Sequence, residues 1–254
     1  MVTAKVKDAK SIFVANVKGG VGKSTLSIML ARALAEKIPP QNITVIDTDL
    51  QRTATEFLTN SNPEINVEFL PITPAFENTN ISLVQQFIKQ NEFRPGHVVI
   101  VDTPAGSSQR LWNLVAEGYC VLIPTTLSNA DLYPTENFIR SMDKVKARYG
   151  KSCPHLIVCP NKIPFGQKDF SLMAERLKNH DVVIGPALRD LASVRHFYNG
   201  KIENWEKRSN TNAQNDFKQF GSFIEKYVLD GELDKIYSQK DGGKNIIPFE
   251  KANN

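Results

Sequence analysis

The chain has 254 residues, 41% of them hydrophobic and 23% charged, and its Lys and Arg side chains outnumber Asp and Glu by four. This composition is that of a globular protein and excludes a fibrous or a disordered chain. No apolar stretch approaches the roughly 18 residues of a membrane-spanning helix, and the N-terminus lacks the apolar core of a signal peptide. We therefore expect a cytoplasmic protein without a membrane partner.

Seven short apolar runs predict strands, and longer helical patterns lie between them. The strands are expected over residues 11–17, 43–49, 66–72, 97–104, 118–126, 155–161 and 181–185, and the helices over 23–37, 107–116, 132–149 and 213–228. Continuous apolar strands of this length are typical of a sheet covered by helices on both faces. The alternation predicts an α/β fold with a doubly wound, mostly parallel sheet.

The chain shows no internal repeat and no linker rich in Gly, Ser or Pro, so one domain is expected over residues 1–229. Residues 230–254 lack clear periodicity, which predicts a C-terminal extension with little packing. The three cysteines, Cys120, Cys153 and Cys159, form no CxxC pair. Their spacing therefore indicates neither a zinc site nor a disulfide framework.

The sharpest motif joins the first predicted strand to the first predicted helix. It reads KGGVGKST and consists of Lys18, Gly19, Gly20, Val21, Gly22, Lys23, Ser24 and Thr25. Glycines let backbone N–H groups turn toward phosphate oxygens, and the N-terminus of the next helix adds partial positive charge. Lys23 can then reach the β- and γ-phosphates, and the Ser24 hydroxyl can bind Mg²⁺. The motif predicts a site for a nucleoside triphosphate.

Lys18 is a second lysine inside the loop, and two cations there are costly unless phosphate is present. It could neutralise phosphate charge during hydrolysis, in its own subunit or in a partner's. KGGVGKST resembles the deviant Walker A motif of the ParA/MinD family of ATPases. The resemblance implies a P-loop NTPase fold, ATP and Mg²⁺ as ligands, and a nucleotide-sandwich homodimer formed on ATP binding, in which Lys18 reaches the partner's ATP.

Aspartates follow the second and the fourth predicted strands, in the segments DTDLQ (residues 47–51) and DTPAG (residues 102–106). Carboxylates at the C-terminal ends of parallel strands can hold Mg²⁺ and orient water, although either could instead cap the next helix. The segments are similar to switch I and switch II of the same family. That similarity implies that Asp49 positions the attacking water, that Asp47 lies near Mg²⁺, and that Asp102 acts on the metal through a water.

The segment after the sixth predicted strand indicates which nucleotide base the site would bind. It reads Asn161-Lys162-Ile163-Pro164. Guanine-binding P-loop proteins use N-K-x-D, and Pro164 stands where that pattern has Asp. The missing carboxylate argues against GTP. Asn161 is similar to the adenine-side asparagine of ParA-like proteins, although a plain turn residue would look the same.

Positive charge is concentrated in residues 140–178, which contain nine basic and three acidic side chains. On the predicted helix 132–149, Arg140, Lys144 and Arg148 follow at intervals of four and form one stripe that could contact DNA phosphates without reading bases. Arg189 and Arg195 are further candidates for DNA contacts. A solvated helix face would show the same pattern.

The resemblance implies an ATP hydrolase that binds DNA nonspecifically, associates with the nucleoid of a prokaryote, and segregates or positions a plasmid, a chromosome or a protein complex. An unidentified ATPase-stimulating partner or adaptor is expected. A MinD-like membrane-associated regulator would need a basic amphipathic C-terminal helix, which GGKNIIPFEKANN does not suggest. An iron–sulfur reductase would need paired cysteines. A localisation or transfer scaffold with little hydrolysis would be expected to lose the signature residues Lys18, Lys23, Asp49 and Asp102, which are present here.

Overall fold

A computed structural model describes residues 8–92, 94–106, 108–149, 154–190 and 211–238. Within these residues seven strands form one sheet in the order β3-β2-β4-β1-β5-β6-β7, and neighbouring strands are parallel. The strands are β1 (Lys10–Val14), β2 (Ile43–Asp47), β3 (Asn66–Phe69), β4 (Val98–Asp102), β5 (Cys120–Thr125), β6 (His155–Pro160) and β7 (Val183–Ile184).

Helices connect the strands and cover the sheet. They are α1 (Lys23–Ala35), α2 (Thr53–Ser61), α3 (Glu77–Asn91), α4 (Gln109–Val115), α5 (Asn129–Tyr149), α6 (Ser171–Leu177), α7 (Thr211–Ile224) and α8 (Glu232–Ser238). A 3₁₀ turn at Pro40–Asn42 precedes β2, and a π-helical segment at Glu225–Leu229 continues α7. The doubly wound parallel sheet is confirmed, and each predicted strand and helix is present with bounds shifted by a few residues.

Two apolar clusters explain the architecture. One face of the sheet packs against α1, α2 and α7, through side chains such as Leu30, Leu58 and Phe220. The other face packs against α3, α4, α5 and α6, through side chains such as Val84 and Phe138. Because both faces are covered, the central strands carry continuous apolar runs, and this pattern is what made them recognisable in the sequence.

The C-terminal region packs further than expected. Helix α8 lies inside residues 230–254, which were predicted to be an extension with little packing, yet Leu233 is completely buried. The Asp234 carboxylate accepts a hydrogen bond from the Tyr119 hydroxyl at 3.0 Å and contacts His155 Nε2 at 3.0 Å. The expectation is therefore corrected for Glu232–Ser238, while residues 239–254 lie outside the described residues.

Two further expectations concern cysteines and membranes. Cys120 and Cys159 are buried free thiols, whereas Cys153 lies outside the described residues. Among the helices of the described segments, none is both long and apolar enough to cross a membrane.

The topology fixes the position of the phosphate loop. Strand β1 lies between β4 and β5, so the chain leaves β1 toward one side of the sheet and later continues on the other. In open α/β sheets ligands bind at such a switch point, beyond the C-terminal ends of the strands. Residues 15–22 follow β1 at this place, and Asp47 and Asp102, the last residues of β2 and β4, end at the same edge.

Candidate functional site

The phosphate loop depends on glycine at two positions with left-handed backbone. Gly20 has φ 78° and Gly22 has φ 92°, and Gly22 directly precedes the first residue of α1. A Cβ atom on Gly22 would lie 2.3 Å from Nδ2 of Asn161. Both the backbone conformation and the close approach of Asn161 therefore require glycine at position 22.

Lys23, the first residue of α1, is only 7% exposed. Its ammonium donates a hydrogen bond to the Lys18 carbonyl at 3.1 Å and so lies across the phosphate loop. Burial lowers the pKa of Lys23, while the carboxylates of Asp102 and Asp49 act in the opposite direction. The charges of both carboxylates thus act on the Lys23 ammonium.

Asp102 is completely buried at the end of β4. Its Oδ1 accepts a hydrogen bond from the Ser27 hydroxyl at 2.9 Å, whereas its Oδ2 has no hydrogen-bond partner within the described part of the chain. Burial raises the pKa of Asp102 to about 7, the hydroxyls of Ser24 and Ser27 lower it, and Asp47 raises it further.

A buried carboxylate oxygen without a partner needs a ligand or a water to complete its hydrogen bonds. Mg²⁺ keeps several of its waters when it binds a protein, and a carboxylate next to the Ser24 hydroxyl can accept hydrogen bonds from such waters. The open oxygen of Asp102 therefore fits a hydrated Mg²⁺ ion. Among the described residues, no group of three or more His, Cys, Asp or Glu side chains is placed to hold a metal ion.

Asp47 and Asp49 differ in what their oxygens already bind. Both oxygens of the buried Asp47 accept hydrogen bonds, Oδ1 from the Asp49 N–H at 3.1 Å and Oδ2 from the N–H and hydroxyl of Thr55 at 2.9 and 3.0 Å. Burial raises the pKa of Asp47, and the Thr55 hydrogen bonds oppose that shift. Asp47 thus shapes the segment that carries Asp49, whereas Asp102 has the open oxygen expected beside a metal ion.

Asp49 is partly exposed and starts a tight turn. Its Oδ1 accepts a hydrogen bond from the Gln51 N–H at 3.0 Å, and its carbonyl accepts one from the Arg52 N–H at 3.1 Å. Arg52 has a left-handed backbone, with φ 54°, and directly precedes α2. The turn holds the Asp49 carboxylate at the edge of the site without burying it.

Lys18 points toward the start of α5. Its Nζ lies 3.8 Å from Oδ1 of Asp131, and its side chain is 42% exposed. The other oxygen of Asp131 accepts hydrogen bonds from the hydroxyls of Thr126 and Ser128, at 2.6 and 3.0 Å. The ammonium of Lys18 is therefore accessible from solvent.

Asn161 lies against the phosphate loop, and its next neighbour contacts the loop as well. The Asn161 amide donates to the Val21 carbonyl at 2.8 Å, and the Lys162 ammonium donates to the Gly20 carbonyl at 2.6 Å. Sequence reasoning considered Asn161 for the base and gave Lys162 no role. The N-K pair itself was the available signal for Lys162.

Asn16 also escaped sequence reasoning. It is fully buried, and its amide donates to the Pro124 carbonyl and to the Thr135 hydroxyl, both at 2.9 Å. Its Oδ1 accepts a hydrogen bond from the Lys18 N–H at 3.1 Å. Asn16 thus fixes the start of the loop, and a polar residue inside the apolar run 11–17 was the signal that could have revealed it.

The predicted DNA-contact residues have different surroundings. Arg140, Lys144 and Arg148 are exposed on α5, although Arg140 pairs with Glu136 on the same helix. Arg189 differs, because its guanidinium and its N–H bind the carboxylate of Asp216 on α7.

The side chain of Asp216 is only 6% exposed and that of Arg189 is 26% exposed, so the pairing disfavours a DNA contact by Arg189, which stays a prediction. Arg195 lies outside the described residues.

Solved structures with the same fold contain bound nucleotide. An ATP complex of a McdA variant from Cyanothece superposes with a TM-score of 0.64 at 18% identity, over 85% of this chain and 95% of that chain. The septum site-determining protein MinD from Pyrococcus horikoshii OT3, complexed with Mg-ADP, superposes with a TM-score of 0.60 at 16% identity, over 91% and 100%. At these identities the similarity is one of fold.

Sequence comparisons add the family. A curated relative, protein ParA from Rhizobium radiobacter, is 34% identical over 113 residues. The match covers 44% of this chain and 47% of that protein, so the chain spans about half the length of this relative. The profile of the CobQ/CobB/MinD/ParA nucleotide binding domain matches residues 12–233, which include the loop, the aspartates and the sheet. The resemblance to ParA and MinD is confirmed, and the chain belongs to the CobQ/CobB/MinD/ParA nucleotide-binding domain family.

Proposed function

We propose that this protein is a ParA-type switch that binds ATP with Mg²⁺, hydrolyses it to ADP and phosphate, and dimerises in its ATP-bound form. The observation that carries the proposal is one site at which Lys18 and Lys23 flank a glycine loop and the carboxylates of Asp49 and Asp102 face Lys23. Two lysines and no guanine-specific aspartate after Asn161 favour ATP as the nucleotide.

Binding is assigned to the residues of the loop. Backbone N–H groups of residues 18–25 and the Lys23 ammonium hold the phosphates at the N-terminus of α1. The Ser24 hydroxyl would bind Mg²⁺, and the open Oδ2 of Asp102 would accept a hydrogen bond from one of its waters. The ion would supply neutralisation of phosphate charge at this site. Nucleotide-bound relatives with this fold support ATP and Mg²⁺ as the ligands.

Hydrolysis in this site is mainly a matter of position and charge. The Asp49 carboxylate orients a water in line with the bond between the γ-phosphorus and the bridging oxygen. The water oxygen bonds to the γ-phosphorus, the bridging bond breaks, and its electrons remain on ADP. A proton of the water passes to an oxygen of the released phosphate. Lys23 and Lys18 neutralise the charge that accumulates on the phosphates, and this stabilisation lowers the barrier.

The dimer follows from the exposure of Lys18. Two subunits close face to face in an isologous arrangement, and each Lys18 exchanges Asp131 for the phosphates on the other subunit. An isolated subunit would then be a poor hydrolase, because the charge supplied by its partner is missing.

DNA is the proposed target of the ATP-bound dimer. Arg140, Lys144 and Arg148 lie about 14 to 26 Å along α5 from Asp131, so they leave the nucleotide face free. The dimer doubles this stripe and binds phosphates without reading bases. Hydrolysis, stimulated by a partner protein, separates the dimer and releases DNA, and repeated cycles position a cargo.

The decisive experiment combines hydrolysis with DNA binding. Phosphate release is measured with MgATP, and binding to a random DNA duplex is measured with ATP, with ADP and without nucleotide over a salt series. We expect ATP-dependent binding that weakens steeply with salt. Equal binding without nucleotide would contradict the switch, and nucleotide-dependent binding to anionic vesicles instead of DNA would favour the MinD-like alternative.

A further inference from the structure

Two consecutive residues after β6 donate hydrogen bonds to two consecutive carbonyls of the phosphate loop. The Asn161 amide donates to the Val21 carbonyl at 2.8 Å, and the Lys162 ammonium donates to the Gly20 carbonyl at 2.6 Å. These contacts join parts of the chain about 140 residues apart in sequence. We call residues 161–162 the strap, because their side chains tie the segment after β6 to the phosphate loop.

The strap is itself held in a particular backbone conformation. Lys162 has φ 55°, in the left-handed region that residues with a Cβ rarely adopt. The Asn161 Oδ1 accepts the Lys162 N–H at 2.9 Å. On the other side, the Ile163 N–H donates to the Leu188 carbonyl at 3.1 Å, and its carbonyl accepts the Asp190 N–H at 2.8 Å. Strain that is fixed from both sides is typical of functional positions.

The strap determines where the loop's N–H groups point. In a trans peptide the C=O and the N–H lie on opposite sides of the same plane. The Gly20 carbonyl shares its plane with the Val21 N–H, and the Val21 carbonyl shares its plane with the Gly22 N–H. When the strap holds both carbonyls outward, both N–H groups turn to the opposite side of the loop. A phosphate loop needs such convergent donors, since a carbonyl turned inward would repel an anion.

We propose that Lys162 is a positioning residue for nucleotide binding, which presets the loop by holding the Gly20 carbonyl outward together with Asn161 on Val21. The inference rests on the proposed function. The N–H groups that the strap orients bind phosphate equally before and during hydrolysis. Substitution of Lys162 should therefore weaken the affinity for ATP and for ADP alike. The turnover number at saturating ATP should stay nearly unchanged.

The test compares three substitutions at this position. Lys162→Met removes the ammonium and keeps the side-chain stem, Lys162→Gly removes the ammonium and relieves the left-handed strain, and Lys162→Arg keeps a donor. Lys168→Met is the matched control, because Lys168 is an exposed lysine of the following loop for which the described residues show no hydrogen bond or ion pair. Isothermal titration calorimetry measures the Kd of MgATP and MgADP, steady-state assays give kcat and KM, and thermal unfolding without nucleotide reports folding.

We expect Lys162→Met and Lys162→Gly to raise both Kd values by about tenfold, as for the loss of one charged hydrogen bond. KM should rise in parallel, kcat should stay within about twofold, and Lys162→Arg and Lys168→Met should bind nearly as wild type. The glycine variant keeps the test valid if the methionine variant is unstable.

Unchanged Kd values in the glycine variant would overturn the inference. An equal loss in Lys168→Met would overturn it too, since any nearby charge would then suffice, and so would a loss of kcat with normal ADP affinity, which would put Lys162 on the γ-phosphate. A wild-type protein that binds neither nucleotide would refute the proposed function instead, so the two failures are distinguishable.

Discussion

The ammonium of Lys18 lies 3.8 Å from the carboxylate of Asp131, at the surface of the subunit that carries both residues. Ion pairs between exposed side chains contribute only about 0–1 kcal/mol, so this contact can be exchanged for phosphate at little cost. The hydroxyls of Thr126 and Ser128 hold Asp131 in place whether or not Lys18 remains there. The pair is therefore suited to a lysine that serves the nucleotide of a partner subunit.

Substitution of Lys18 should separate binding from hydrolysis. We expect Lys18→Ala to lower the rate of hydrolysis by about 100-fold or more, because one preorganised charge on the transition state is lost. Lys23 and the backbone of the loop remain, so ATP should still bind. Phosphate release and calorimetry measure the two effects.

The control for this substitution is Lys89→Ala, at an exposed lysine of α3, which should hydrolyse ATP normally. Wild-type hydrolysis by Lys18→Ala would contradict the assigned role of Lys18.

The phosphate loop and the strands could be predicted because their signals are local. Continuous β-branched runs mark strands buried on both faces, and KGGVGKST marks a loop between a strand and a helix. By contrast, α3 escaped prediction because it buries only a narrow stripe, including Ile81, Val84 and Ile88, and is otherwise polar. Its stability comes from packing against the sheet, which a short sequence window does not contain.

Contacts between residues distant in sequence account for what could not be predicted at the site. The role of Asn161 at Val21 and the pairing of Arg189 with Asp216 join residues distant in sequence. The strand order of the sheet brings the segment that follows β6 beside the phosphate loop. The basic stripe on α5 could be predicted from the four-residue spacing of its members. The pairing of Arg189 with Asp216 could not, because no local pattern indicates it.

Substitution of Asp49 should trap the dimer. Asp49→Ala removes the carboxylate that orients water, and we expect hydrolysis to fall by about 100-fold or more while ATP still binds. The ATP-bound dimer should then persist, which size-exclusion chromatography with MgATP detects. Glu56→Ala, at an exposed carboxylate of α2, serves as the control. Normal turnover in Asp49→Ala would refute the assigned role.

Gly22 should be required for more than its backbone conformation. In Gly22→Ala the new Cβ would lie 2.3 Å from Nδ2 of Asn161, in addition to the strain of φ 92°. We expect a loss of about 1–3 kcal/mol in the free energy of unfolding and loss of ATP binding.

Gly166→Ala is the matched control, since its φ is 82° and nothing lies within 4 Å of a Cβ there. It should lose stability through strain alone and bind ATP as wild type does. Equal loss of ATP binding in both variants would show that the contact with Asn161 is unimportant.

The contribution of His155 to stability should fall on mild acidification. Burial lowers the pKa of His155 below its ordinary value of 6.5, although Asp234 acts in the opposite direction. Below pH 6.5 the unfolded chain therefore takes up a proton that the folded chain does not, and the folded state loses stability until the pH reaches the folded pKa. Each unit of pKa difference corresponds to about 1.4 kcal/mol.

Urea unfolding at pH 7.5 and pH 5.5 measures this loss. His155→Gln should lose less stability than wild type between these pH values. The comparison isolates His155, because His97, whose pKa burial also lowers, and Asp102, whose raised pKa of about 7 favours the folded state on acidification, are the same in both proteins. A pH dependence that is identical in wild type and His155→Gln would contradict the assignment to His155.

The stripe on α5 should govern the salt dependence of DNA binding. Each phosphate that a side chain neutralises contributes about 0.9 to the slope of log affinity against log salt concentration. Alanine at Arg140, Lys144 and Arg148 together should therefore reduce the slope by up to about three per subunit, or about five for the ATP-bound dimer, and weaken binding at low salt. Fluorescence anisotropy with a random duplex measures both quantities.

Of the three basic residues in the stripe, Arg140 is the least available for DNA phosphates, because it already pairs with Glu136. Glu136 also binds Arg176. Lys144→Ala alone should thus weaken DNA binding more than Arg140→Ala alone, and ATP hydrolysis should stay normal in both because the stripe lies away from Lys18. Lys89→Ala on α3 controls for the loss of any one surface charge. If the triple variant binds DNA with an unchanged slope, the DNA contact lies on another surface, and α5 has a solvated basic face.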